Sequence, residues 1–247
     1  MTGKINFNIT FILLFFSIFF YFLLWIPPTY AANYPLEIIN IKPAGTGNPP
    51  IPSTNRIFRA YPGIDYNIRP AVVGGLYPYT YSLDRAPSGM KINRKTGEIN
   101  WSNPTANSGP IKLSVTDTEK TKIFTTWEIK VTKEGFWFVD SSYSGRSTGS
   151  ASQPFKTLLE MLKSTGFNNQ NDIVYFRSGN YNFVEFGPDE GKVFLGGYDK
   201  WYRPNTWIGY PNEIININGK NLCLQSHYIW LDNLNLNNFT DCAIYLD

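Results

Sequence analysis

Between positions 66 and 131, short runs of alternating apolar and polar residues recur about every ten residues, with a turn signal between each pair. The runs are Tyr66-Asn67-Ile68-Arg69, Tyr79-Thr80-Tyr81-Ser82-Leu83, Gly97-Glu98-Ile99-Asn100-Trp101, Ile111-Lys112-Leu113-Ser114-Val115 and Trp127-Glu128-Ile129-Lys130-Val131. A period of two is that of a strand whose side chains alternate between faces. Short strands at this spacing fold as a two-layer β-sandwich. Leu36 to Ile41 supplies a further strand upstream, followed by the Pro/Gly-rich loop from Pro43 to Pro50.

Within this stretch lie Gly74-Gly75-Leu76-Tyr77-Pro78-Tyr79-Thr80-Tyr81-Ser82-Leu83, then Ala86-Pro87-Ser88-Gly89-Met90-Lys91-Ile92 and Thr96-Gly97-Glu98-Ile99. This pattern resembles the Ig-type domain close to the dystroglycan-type cadherin-like fold. The resemblance covers 36–132 and implies a turn at Pro87-Ser88-Gly89-Met90 and a tight hairpin at Thr96-Gly97-Glu98-Ile99. Glycine suits both turns because it tolerates positive φ. Asn100-Trp101-Ser102 departs from the small, Gly-rich step usual there. Asp117-Thr118-Glu119 alone makes no calcium cage, so a sandwich without bound calcium is expected.

After Lys133-Glu134-Gly135 the character changes. Phe136 to Asp140 reads as a strand, and a Ser/Gly loop runs from Ser141 to Ser152. Pro154 suits a helix first turn. Phe155, Leu158, Leu159 and Leu162 then fall on one helical face, and Gly166 ends the helix. Asp172 to Phe176 is a second strand, closed by Gly179-Asn180-Tyr181. The order of Gln153-Pro154-Phe155-Lys156-Thr157, Asp172-Ile173-Val174-Tyr175 and Gly179-Asn180-Tyr181 resembles the entry of pectate-lyase-like right-handed parallel β-helix proteins. The resemblance implies an all-β chain: an Ig-like sandwich, then a short capping helix and the first turns of a right-handed parallel β-helix over 136–247. Segments such as Thr206-Trp207-Ile208-Gly209, Ile214 to Ile217, Tyr228 to Leu231 and Ala243 to Leu246 supply the rungs, with Trp207 expected in the core. About two or three turns are expected, with the last strand unfinished.

Residues 1–31 read as a signal peptide. Lys4 gives the positive start, 9–26 is apolar apart from Thr10 and Ser17, and Thr29-Tyr30-Ala31 places small residues where a signal peptidase reads. The competing reading is an uncleaved anchor that holds the chain to the membrane through 9–26. Either way the expected location is extracytoplasmic: secreted or cell surface. Beyond this segment the net charge is only +2 with no Lys/Arg cluster, which excludes nucleic acid as a partner. Two cysteines, Cys223 and Cys242, are one rung apart in such a fold. Cys223 lies between Leu222 and Leu224, whereas Cys242 shares parity with Ile244 and Leu246. A bridge and two separate thiols both stand as readings.

Residues that would name a reaction are sparse, and the catalytic residues are unknown at this level. Gly145-Arg146-Ser147-Thr148-Gly149 fits a nucleophile pattern, with Asp189 or Asp199 and His227 in hydrolase order, but its long loop is no sharp elbow. Asp232, Asp241 and Asp247 form no defensible acid/base pair and read as solvent-facing bend carboxylates. No spacing suggests a metal site, so no cofactor is expected; calcium would need further turns. Trp201 and Tyr202, flanked by Lys200 and Arg203, are the best candidates for stacking on a sugar. By resemblance, the expected partner is extracellular polysaccharide. The chain is then the front part of a lyase or glycosidase of β-helix type, inactive as it stands, or a non-catalytic adhesion protein.

Overall fold

A computed structural model describes residues 34–47, 50–165, 172–182, 192–194, 205–218, 223–225, 229–238 and 244–245. The chain divides into two compact units, 1–35 and 36–247. Everything that follows lies in the second. The expected signal peptide at 1–31 falls outside the described residues.

The first part of that unit is built from short, mostly antiparallel strands. In chain order they are β1 (Glu37–Ile38), β2 (Arg59–Ala60), β3 (Tyr66–Ile68), β4 (Val72–Val73), β5 (Thr80–Arg85), β6 (Met90–Ile92), β7 (Ile99–Trp101), β8 (Ile111–Thr116), β9 (Lys122–Trp127) and β10 (Lys130–Val131). One sheet runs β5-β8-β9 and another β3-β7-β6; β1 pairs with β4, and β10 runs parallel to β2. Alternation sets the layers: Ile111, Leu113 and Val115 of β8 are fully buried, as is Ile99 of β7. They share one core with Ile41, Tyr66, Ile68, Trp101 and Trp127. Two boundaries differ from the sequence reading. Trp127 closes β9, and the expected Trp127–Val131 strand is split at Glu128-Ile129. The Lys122–Trp127 strand was not foreseen, because Phe124 points to solvent.

The hairpin reading of Thr96-Gly97 holds physically. Asn93 Oδ1 accepts from the Lys95 and Thr96 amides, and Gly97 adopts φ +74°. A Cβ on Gly97 would sit 2.9 Å from the Tyr81 ring. Trp101, the unusual residue at its position, is accommodated by donating its indole N–H to the Ser88 carbonyl at 3.1 Å.

Among the described residues, every pairing between strands from β11 (Phe136–Val139) onward is parallel. Helix α1 (Leu158–Thr165) follows, then β12 (Ile173–Phe176), β13 (Gly179–Asn182), β14 (Lys192–Phe194), β15 (Asn205–Gly209), β16 (Ile215–Asn218), β17 (Cys223–Gln225), β18 (Ile229–Asp232), β19 (Asn235–Asn237) and β20 (Ile244–Tyr245). Three sheets result, in the orders β11-β12-β15-β18, β13-β16-β19 and β14-β17-β20. The chain therefore visits the same three sheets in the same order three times. Phe176, Tyr181, Trp207, Ile215 and Ile217 form the core beneath them. Trp207 is buried, as its strand parity predicts.

Helix α1 starts later than the apolar face implies. Thr157 caps it, its Oγ1 accepting from the Glu160 amide at 3.0 Å, while the Glu160 carboxylate reaches back to the Lys156 amide. This is a variant of the capping box, in which the carboxylate takes the N–H one residue before the cap. Phe155 therefore precedes the helix and instead bridges Val139 as strand. The buried helical face is Leu158 and Met161, which with Phe155 close onto the second core.

Candidate functional site

The two sequence stretches meet at a junction built around two arginines that the sequence reading assigned no role. Asn55 opens a 3-10 turn at Arg56–Phe58, its side chain accepting from the Ile57 amide. The turn runs straight into β2, and both Arg56 and Arg59 end up buried. A buried guanidinium is costly unless its charge and donors are met. Arg56 Nη2 donates to the Asn67 carbonyl and to Asp232 Oδ2, both at 2.9 Å, and its guanidinium lies 4.9 Å from the Trp230 ring centre. Arg59 donates to the Glu134 carbonyl at 3.1 Å and lies over the Phe136 ring. Burial pulls Arg59 below its ordinary value, and the carboxylates of Asp172 and Glu134 oppose that shift. Gly135, at φ +74°, leaves room for this guanidinium; a Cβ there would collide with Arg59 Nη1.

Beside the arginines lies an aromatic seam. Tyr61 sits edge-on to Phe136 at 5.5 Å and to Phe138 at 5.0 Å, and Phe138 stacks on Tyr175 at 5.6 Å. Ile64 of the sandwich joins Phe136, Phe138, Ile173, Tyr175 and Ile208 in one cluster. All four residues of β12 are consequently buried. Val174 and Phe176 face the inner core, while Ile173 and Tyr175 face the sandwich. Burial pushes the Tyr175 hydroxyl up to about 12, with Arg56 partly opposing it.

A cleft of about 790 Å³ opens at this junction, with Phe58, Arg59, Trp127, Lys130, Glu134 and Asp172 in its lining. Its volume falls within the usual range for a small-ligand site. The lining mixes apolar side chains with both signs of charge. Among the described residues no group of three or more His, Cys, Asp or Glu could hold a metal ion.

The sequence-derived candidates separate at this point. Trp201, Tyr202, His227, Asp189, Asp199, Asp241, Asp247 and the Cys242 half of the cysteine pair lie outside the described residues. Ser147 sits in a long loop. Its Oγ is buried with no hydrogen-bond partner among the described residues, and the candidate base His227 lies outside them. Gly149 of the same motif serves packing: a Cβ would strike Phe155 and Trp137. Asp232, expected to face solvent, is 43% exposed and also pairs with buried Arg56. The signal that could have located the junction is Ile173-Val174-Tyr175-Phe176, four apolar residues in a row. Such a run marks a strand covered on both faces.

At the turns between parallel sheets, Glu213 accepts from Arg177 Nε at 2.9 Å and from the Ser178 amide, tying the turn after β12 to the turn before β16. Burial would raise the Glu213 carboxyl, but the Arg177 and Ser178 hydrogen bonds outweigh it and hold the group below its ordinary value.

A family model described as Putative Ig domain matches residues 46–132. The chain carries an Ig-type domain. No curated protein matches the chain. Among solved structures it is similar to a putative alpha-galactosidase/melibiase from Bacteroides fragilis, at 12% identity and TM-score 0.29, covering 57% of this chain and 28% of that one. A putative alpha-galactosidase from the same organism matches at 10% identity and TM-score 0.32, covering 70% and 37%. Extracellular cadherin domains 3–6 of protocadherin gamma B2 match at 10% and 0.29, covering 46% and 28%. The chain thus spans well under half the length of each. Among the described residues no helix is long and apolar enough to cross a membrane.

Proposed function

We propose that this chain is an extracytoplasmic, polysaccharide-interacting protein, with its Ig-type domain braced against turns of a right-handed parallel β-helix. The observation that carries this reading is the threefold return of the chain to the same three parallel sheets. Parallel strands in one sheet need crossover connections, and these are right-handed in nearly all proteins. The entry motif from Gln153 to Tyr181 supports the same architecture and, by resemblance, the polysaccharide partner. Trp201 and Tyr202 remain the proposed sugar-stacking residues. The segment 1–31 directs export, and 36–132 and 136–247 are the two modules.

A second reading, a non-catalytic adhesion protein, draws on the asparagine ladder of the middle sheet. Asn180, Asn216 and Asn235 share one register position, and Asn182, Asn218 and Asn237 another. Asn216 donates to Asn180 at 3.1 Å and Asn218 to Asn182 at 3.0 Å. Such a ladder stiffens a polar face without offering an acid or a base. Incubating the full chain with polyuronates and neutral polysaccharides separates the readings. Retention on a polysaccharide column with no unsaturated or reducing ends released favours adhesion. Released ends favour the enzyme, and no retention on any polysaccharide removes both. Loss of retention in Trp201→Ala is the expected result for the stacking site.

A further inference from the structure

The middle sheet β13-β16-β19 turns six side chains outward, and all six are asparagine: Asn180 and Asn182, Asn216 and Asn218, Asn235 and Asn237. Their inward neighbours Tyr181, Ile215 and Ile217 are buried, whereas each of the asparagines keeps contact with solvent. Strands disfavour asparagine, so a whole face of it runs against local preference. Such a conflict marks positions kept for something other than folding. The bonds within the ladder do not account for it. They join the rungs at 3.0–3.3 Å. In contact with water, however, an amide–amide bond only replaces one to solvent and adds little net stability. Each asparagine amide has two N–H groups and two lone pairs, and a ladder bond takes one N–H from its donor.

We infer that this amide face binds a straight, uncharged polysaccharide chain laid across the rungs, one sugar to a rung. The inference rests on the polysaccharide reading above and assigns it a surface. Charge on the face separates the ligands. None of these positions carries a charge, and the ion pair in the turns that lead into the face, Arg177 with Glu213, is closed on itself at 2.7 Å. An acidic sugar would find no cation on the face to pair with its carboxylates. The molecule also shows what a sheet covered by protein looks like. On the first parallel sheet the outward residues are Ile173, Tyr175 and Ile208, and the sandwich packs on them. The middle sheet offers no apolar side chain at its outward positions, whereas protein interfaces are centred on apolar and aromatic anchors. The partner that fits is uncharged and presents donors and acceptors together, as sugar hydroxyls do. Spacing agrees. Rungs repeat about every 4.8 Å, close to the length of one sugar in a straight β-1,4-linked chain, so successive sugars meet equivalent amides. The two asparagine columns stand about 6.6 Å apart, so that one column meets each edge of the chain.

The test follows the asparagine side-chain NH2 resonances of the full chain by NMR during titration with cellohexaose, mannohexaose, maltohexaose and the hexamer of galacturonic acid. At least one of the straight, neutral chains, cellohexaose or mannohexaose, is expected to shift the ladder signals. The curled maltohexaose and the acidic hexamer should leave them in place. The double variant Asn180→Ala with Asn182→Ala should weaken the binding about tenfold. Both positions are exposed, so this variant should melt with the wild type. Asn182→Asp keeps the shape but exchanges the amino group for a charged oxygen, and it should weaken binding as well, which separates lost contact from lost folding. Ladder signals unmoved by both straight chains overturn the inference. Equal affinity of the double variant and wild type does so too, as does tighter binding of maltohexaose or the acidic hexamer at the ladder. Retention of the chain on any polysaccharide with the ladder signals unmoved sinks this inference alone and leaves the polysaccharide reading standing. Binding lost in Trp201→Ala but kept in the double variant has the same meaning.

Discussion

The strand β8 of the sandwich and the strand β12 of the parallel region bury their side chains by different means. In β8, Ile111, Leu113 and Val115 turn inward to one core, and the partners β5 and β9 lie within the same domain. In β12 the inward residues Val174 and Phe176 meet one core, while the outward residues Ile173 and Tyr175 meet the sandwich. The sandwich is thus the outer cover of the first parallel sheet. Isolated parallel sheets expose too much apolar surface and are normally covered on both faces. Here that cover comes from a neighbouring module whose sheets are mostly antiparallel.

The largest effect should come from the inner core of the parallel region. Trp207 is buried there against Phe176, ring centres 5.3 Å apart. Trp207→Ala should cost about 3–5 kcal/mol. Urea unfolding followed by circular dichroism measures this. A loss below about 1 kcal/mol would mean the parallel ladders do not share a packed interior.

A smaller effect is expected at the junction ion pair. Asp232 is 43% exposed but its partner Arg56 is only 7% exposed, so the two ends are not equivalent. Removing the carboxylate strands a buried cation; removing the arginine releases an acid that water can solvate. Discounted for Asp232's exposure, Asp232→Ala should cost about 1–2 kcal/mol. Swapping Arg56 for methionine, which keeps the stem packed, should cost less. Equal costs would show that the pair acts as an ordinary surface bridge.

The smallest effect is one that acid removes. Glu213 is held below its ordinary value by Arg177 and the Ser178 amide. A carboxyl whose folded-state value is depressed contributes stability above its unfolded value, about 4.3, and loses it as pH falls through the lower folded value. Thermal melts between pH 7 and 2 should therefore show Glu213→Gln less stable than wild type at neutral pH. The two curves should converge at the acid end. Parallel curves over the whole range would mean the carboxylate adds nothing through its charge.

Much of the sandwich was legible because its physics is local. Period-two alternation gave β3, β7 and β8 nearly to the residue, and Gly97 and Gly89 marked turns that need positive φ. The parallel region was legible only as a list of rungs and an entry motif. Which face of β12 meets what depends on residues more than a hundred positions upstream, Tyr61 and Ile64, that no local pattern pairs with it. Arg56 and Arg59 were invisible for a related reason. A charged residue reads as solvent-facing until its partners, here Asp232, Glu134 and the rings of Trp230 and Phe136, are brought together by the fold. Phe155 was misplaced onto the helix because its spacing to Leu158 and Leu162 fits a helical face, whereas the Thr157 cap starts the helix after it. The proposed stacking pair, Trp201 and Tyr202, lies outside the described residues.

The central claim is that the sandwich packs directly on the first parallel sheet. A double-mutant cycle across the closest aromatic contact tests it most directly, since Tyr61 and Phe138 come from opposite sides with ring centres 5.0 Å apart. Unfolding free energies of Tyr61→Ala, Phe138→Ala and the double variant give the coupling. The account predicts non-additivity of about 0.5–1.5 kcal/mol. Additivity within about 0.3 kcal/mol would place the two rings out of contact and contradict it.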